Sequence, residues 1–173
     1  MAINATPGAA NADAYATLAE ADAYIDTILN AGAWATAVDA DQERALKMAR
    51  RLLDSYYTWL GTRTYEVQAL DFPRLGLTRD NSWPVDSTTI PHEIRDASIQ
   101  FGLWLLENNP NEENEVAAQG ITEIKVSTIQ LKFKDVIASR TIPDFIDVMI
   151  PKEWYENADA DAEALKTSIF EVV

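Results

Sequence analysis

Cysteine is missing from this 173-residue chain, and histidine occurs once. The first absence excludes a disulfide framework and thiolate metal sites, and it suits a protein made in a reducing cytoplasm. The second leaves His92 as the one side chain around which a Ser/His/Asp triad could be built. Its place in the first turn of an expected helix reads instead as a helix-start polar residue. Glycine-rich phosphate motifs are absent too: with neither a GxxxxGKS/T loop nor a GxGxxG turn, ATP and NAD chemistry have no anchor. No run approaches the roughly 18 apolar residues of a membrane span, and MAINATPGAANADA at residues 1–14 lacks the regions of a signal peptide. A soluble, unsecreted protein is expected.

Basic residues are scarce: 14 Lys and Arg stand against 28 Asp and Glu, for a net charge of −14. Nucleic-acid affinity comes mainly from Lys and Arg displacing counterions from phosphates, so this balance disfavours a tight DNA binder. It fits a surface that keeps the protein soluble, or one that repels DNA. The carboxylates offer little chemistry. Asn157, Asp159, Asp161 and Glu163 suggest a calcium loop, but Ala162 stands where the glycine is needed and Ser168 where the last glutamate is needed. Pairs such as Glu112 and Glu113 lie in solvated runs rather than a pocket. No catalytic residue, cofactor or metal is expected, and the chain reads as a protein that is not an enzyme.

What is present makes a folded domain. Hydrophobic residues are 47% of the chain and charged residues 24%, and a chain of this length buries roughly 70% of its unfolded surface. The fold class expected is mainly α: a small helical bundle with a long packed loop, a β-hairpin and an extended C-terminal arm. Residues 1–14 read as a flexible N-terminal arm, 15–155 as the core and 156–173 as the C-terminal arm. Thr17 and Glu20 have capping-box spacing, and Leu18, Ala21, Ile25 and Ile28 recur at helical intervals up to Gly32 as a stop. Asp39 with Gln42 opens a longer second helix through Ala45, Met48, Ala49, Leu52, Leu53 and Tyr56, ending near Gly61.

From about Thr62 to Thr89 the periodicity dissolves. The large residues there, including Tyr65, Leu70, Phe72, Leu75 and Trp83, predict a packed loop, since leaving them in water is costly. Pro91 suits the first position of a third helix running to about Asn108. That helix is apolar on too many sides, with Ile94, Ala97, Phe101 and Leu105 on one stripe and Ile99, Leu103, Trp104 and Leu106 around it. ITEIKVSTIQLKFK alternates and predicts a hairpin at about 121–134. Pro143 and Pro151 leave room for one short helix between them. The tail ends in TSIFEVV, too small an apolar tip to form a core alone.

Aromatics interleaved with basic residues can grip a single strand, and residues 50–63 are where the chain best approaches that pattern. Arg44, Lys47, Arg50, Arg51 and Trp59 are the candidates. Packing at the end of the second helix accounts for the same aromatics and is the preferred reading.

YATLAEADAY at 15–24, Trp34, Ala45-Leu46, RLLD at 51–54, WLG at 59–61, QALDFPR at 68–74 and IPHEIRDA at 90–97 keep a characteristic order and spacing. Together they resemble the head-tail connector, or adaptor, family of tailed bacteriophages, some of whose members are labelled DnaT-like single-stranded DNA-binding proteins. The resemblance covers about residues 12–108, with weaker support from the hairpin and from IPDF at 142–145. It implies a virion protein made in the host bacterial cytoplasm, assembled as a homo-oligomeric ring, a dodecamer, in the neck between portal and tail. Genomic DNA would pass through the lumen at ejection without tight binding, and the partners would be the portal protein and a downstream tail protein. The portal-binding or neighbour-binding candidates are Ile169, Phe170, Val172 and Val173 with Trp154 and Tyr155. The subunit-interface candidates are Ile99, Leu103, Trp104, Lys125, Lys132 and Lys134. Trp59, Phe72, Pro73 and Pro91 read as fold-defining. The alternative function is a single-stranded DNA-binding module on Arg44, Lys47, Arg50, Arg51 and Trp59.

Overall fold

A computed structural model describes residues 2–80, 82–109 and 142–156, together with the backbone of two strands at 123–126 and 129–132. Among these residues the fold is mixed: five α-helices carry most of the regular structure, and short antiparallel strand pairs complete it.

Helix α1, Leu18–Ile25, starts where the capping box puts it. The Glu20 N–H donates to the Thr17 hydroxyl, and the Glu20 carboxylate accepts from the Thr17 N–H at 2.8 Å. Gly32 does not stop this helix. Asn30, at φ 61°, breaks the chain direction, and Gly32–Thr36 forms a separate short helix, α2, whose Trp34 is buried. Helix α3, Asp39–Tyr56, follows without a side-chain cap. Asp39 lies inside its first turn, and Gln42, rather than closing a capping box, is buried and donates from Nε2 to the Trp34 carbonyl at 2.8 Å. Fixing α2 on α3 in this way satisfies both groups of a buried pair.

Helix α4, His92–Glu107, packs along α3 as the main helix pair of the fold. Gly102 allows the close approach, because a Cβ there would stand 3.2 Å from the Leu46 side chain. The apolar excess of α4 is consumed internally: Ile94, Ala97, Ile99 and Phe101 are all buried. Ile94, Ala97 and Phe101 join Tyr15, Leu53, Trp59, Phe72, Ile146 and Trp154 in one cluster. Ile99 joins Ala21, Ile25, Trp34 and Leu46 in the other.

The segment between α3 and α4 packs only part of its large residues: Leu70 and Phe72 are buried, whereas Tyr65, Leu75 and Trp83 are exposed. Strand β1 (Thr58–Trp59) leaves α3, β2 (Thr62–Arg63) pairs with β3 (Arg74–Leu75), and β4 (Thr78–Arg79) pairs with β5 (Trp83–Pro84). Strands β6 (Glu123–Val126) and β7 (Ile129–Lys132) form an antiparallel hairpin within the stretch where apolar and polar residues alternate. Helix α5 (Asp144–Met149) sits between the two prolines, and a 3₁₀ turn (Lys152–Trp154) leads to β8 (Tyr155–Glu156). Strand β8 returns to β1 with Trp59 opposite Tyr155, closing the described core.

The N-terminal residues depart from the expected mobile arm. Ala12 and Ala14 are buried, the Asp13 carboxylate accepts from the Asn4 N–H at 2.8 Å, and the Ala69 N–H donates to the Ala9 carbonyl. Their small side chains let the backbone lie against α3 and the loop, where larger residues would not fit. The expected C-terminal arm, 156–173, lies outside the described residues beyond Glu156.

Candidate nucleic-acid interface

Helix α3 presents its basic residues unevenly. Arg44 is exposed and pairs with Asp41 one turn earlier. Lys47 is mostly covered and reaches Asp13 at 2.8 Å. Burial pushes the Asp13 carboxyl up, but the bonds from Lys47 and the Asn4 N–H outweigh it and hold that carboxyl below its ordinary value. Arg50 is committed inward: Nη2 donates to the Ala69 carbonyl at 2.7 Å, and Nε stands 2.9 Å from Asp54 Oδ2 as a close charge pair without hydrogen-bond alignment. Arg51 is exposed and makes no ion pair among the described residues.

Trp59 is not available to a base. It is 8% exposed, with its ring centroid 4.8 Å from Tyr57 and 4.9 Å from Phe72. The reason is β1: pairing with β8 turns residue 59 inward, so the expected cluster of cations and aromatics divides. Arg44 and Arg51, seven residues and about 10 Å apart along the helix axis, stay on one outer line. Lys47, Arg50 and Trp59 hold the fold together.

Three polar residues of the QALDFPR segment hold the loop below them. Gln68 is buried, donates from Nε2 to the carbonyls of Leu70 (2.8 Å) and Pro73 (3.1 Å), and accepts from the Tyr65 N–H. Asp71 receives Arg63 through Nε at 2.9 Å and Nη2 at 2.6 Å. Arg74 donates to the carbonyls of Leu60, Trp59 and Gly61 at 2.6, 3.1 and 2.9 Å, and burial lowers its pKa. Nearby, the Tyr15 hydroxyl donates to Asp54, whose carboxyl is lifted to about 6, first of all by burial. These architectural roles have no motif of their own in the sequence. The available signal was a run of strong hydrogen-bonding side chains inside a loop whose backbone needed partners.

The remaining candidates scatter. Trp154 and Tyr155, expected to meet a partner, are buried in the core. Ile169, Phe170, Val172 and Val173 lie outside the described residues, as does Lys134. Ile99, expected at a subunit interface, is fully buried; Leu103 and Trp104 are half-buried against the two clusters. Lys125 and Lys132 lie on β6 and β7. His92 is exposed at the start of α4, with Nδ1 3.4 Å from Glu93.

Residues 1–159 match the family described as "Putative DnaT-like ssDNA binding protein". The chain belongs to that family. No curated protein and no solved structure matches it.

Membership of the DnaT-like family overturns the head-tail connector assignment, and with it the virion ring and the portal and tail partners. It also overturns passage of DNA without tight binding. The physical reason lies in the residues behind the resemblance. Tyr15, Trp34, Leu46, Leu53, Trp59, Phe72, Ile94 and Ala97 are core, and Gln68, Asp71 and Arg74 are loop clasps. Such residues report packing, and packing does not specify function. The expectation drawn from net charge fails for a related reason: a sum over the DnaT-like chain does not locate sign, and Arg51 remains exposed despite the total.

Proposed function

We propose that this DnaT-like chain binds single-stranded DNA. The observation that carries the reading is the family match, which runs from residue 1 to residue 159 and so takes in every described element. The outer line of α3 supports it, since Arg44 and Arg51 offer two guanidinium groups that can each displace counterions from a phosphate. The chain acts by binding, without catalysis. Its architecture is read as mainly α, a small helical bundle bearing a packed loop and a hairpin.

Fluorescence anisotropy of a labelled oligothymidylate, compared with the same length of duplex at low and at physiological salt, tests the reading. Single strand is expected to bind in preference to duplex, with an affinity that falls as salt rises. Replacing Arg44 and Arg51 together by Ala should reduce the slope of log K against log salt by about 1.4, at about 0.7 for each phosphate no longer neutralised. Absence of binding to single strand at low salt overturns the proposal.

A further inference from the structure

Four of the five tryptophans serve the interior. Trp34, Trp59 and Trp154 are 3%, 8% and 0% exposed, and Trp104 is half-buried, whereas Trp83 is 72% exposed. An indole is among the largest apolar groups a chain can bury, and one left in water offers a broad π face to a partner.

The described backbone on either side of Trp83 is hydrogen-bonded. Strand β5 carries it opposite Arg79 of β4, and the turn between them is closed by the Ser82 N–H on the Arg79 carbonyl at 3.0 Å. The Val85 N–H continues the ladder to the Leu77 carbonyl. From the other side the 3₁₀ turn grips the same hairpin: Trp154 Nε1 donates to the Thr78 carbonyl at 2.7 Å, and the Asp80 N–H donates to Glu153 at 3.1 Å. Trp83 therefore stands on a cross-braced element, as a stacking surface needs.

Of the charged groups near it, Arg79 is held in place. Arg79 meets Glu93 fork to fork, Nε to Oε1 at 2.5 Å and Nη2 to Oε2 at 2.9 Å, with its guanidinium 5.7 Å from the centroid of the Trp154 ring. Nη1 is left without a hydrogen bond among the described residues, and the side chain remains 35% exposed. Lys152, exposed, begins the turn that is bonded to the hairpin. Of the nearby carboxylates, Glu93 is taken by Arg79, and Glu153 accepts from the Asp80 backbone.

We infer that Trp83 is a base-stacking platform for single-stranded DNA, with the exposed Lys152, on the turn bonded to the same hairpin, as the cation for a flanking phosphate. The inference rests on the single-strand reading above and places its aromatic contact on β5. Unpaired bases expose the π faces that an indole can cover; in a duplex those faces are already stacked. Arg79 is already neutralised by Glu93, so the contact is carried by stacking and its own share of the salt slope is shallow, about −0.7 for one cation.

Trp83 also supplies the readout. Titrating the full chain with an oligothymidylate of about 15 nucleotides should quench the red edge of the tryptophan emission, where an exposed indole emits. Trp83→Ala should abolish that quench and weaken binding by about 5- to 150-fold, the range that one base-aromatic stack supplies. Trp83→Phe should keep most of the affinity while losing the quench. Because the side chain is exposed, all three proteins should share one melting curve, which separates weakened stacking from a damaged fold. Wild-type chain that binds the oligonucleotide with the same affinity as Trp83→Ala overturns this inference and leaves the single-strand reading standing. Wild-type chain that fails to bind at low salt overturns both.

Discussion

Replacing Arg74 by Met keeps an unbranched, largely apolar stem and removes the guanidinium donors, which tests whether QALDFPR is architecture. Arg74 is 10% exposed and holds the carbonyls of Trp59, Leu60 and Gly61 while lying 3.7 Å from the Asp71 carboxylate. Gly61 is exposed, so water replaces that partner; the acceptors of Trp59 and Leu60 are more enclosed. Two enclosed acceptors left unpaired cost about 1–3 kcal/mol each, for a total of about 2–6 kcal/mol, and the loss of the cation beside Asp71 acts in the same direction. Against a domain stability of about 5–15 kcal/mol the loss is large. With a urea m-value of about 2 kcal/mol/M it lowers the midpoint by about 1–3 M. Arg74→Lys should recover little, since one ammonium on a flexible stem cannot span three carbonyls fixed around a planar fork. A midpoint shift below about 0.5 M, or full recovery with Lys, refutes the clasp.

Two further outcomes follow from buried polar pairs. The Asp54 carboxyl is raised by burial from 3.8 to about 6, so the native state holds its proton more tightly than the unfolded chain does. Its contribution to stability is therefore greatest in acid and falls as pH rises through about 6. From this group alone, urea unfolding should show more stability at pH 5 than at pH 7, on the order of 1 kcal/mol, and Asp54→Asn should remove that increment; an unchanged pH profile in the variant contradicts the assignment. The Tyr57 hydroxyl donates to Asp147 on α5, tying the end of α3 to that helix. Tyr57→Phe should cost about 1–3 kcal/mol in a thermal melt, and an unchanged melting temperature means the bond contributes nothing.

Periodicity and caps made most of the helical framework legible. Thr17 and Glu20 placed the start of α1, and the spacing of Ala45, Ala49 and Leu53 gave the inner face of α3. The proline spacing around α5 set its length. Errors arose where a local signal had two readings. Asp39 with Gln42 has capping-box spacing, yet the carbonyl of Trp34 captured Gln42 instead. The small residues of 2–14 looked too weak to order, and they are ordered because their smallness lets the backbone approach α3. For the candidate interface, basic residues on α3 could be found, but which of them were free could not. Asp13 and Asp54 take Lys47 and Arg50 through folding alone.

By itself the sequence determined what the chain is able to build: amphipathic helices, a hairpin, and an irregular segment rich in large side chains, without cysteine and with a single histidine. Those properties follow from composition and spacing, which act over one or two helical turns. Only the tertiary structure decided which aromatic faces water and which cation is spent on a carboxylate. Trp59 and Trp83 are equivalent indoles in one irregular segment; the pairing of β1 with β8 buries the first, and the β4–β5 hairpin leaves the second outside. Exposure is set by elements nearly a hundred residues away in the chain, as Trp59 opposite Tyr155 shows, and a local pattern carries no record of them.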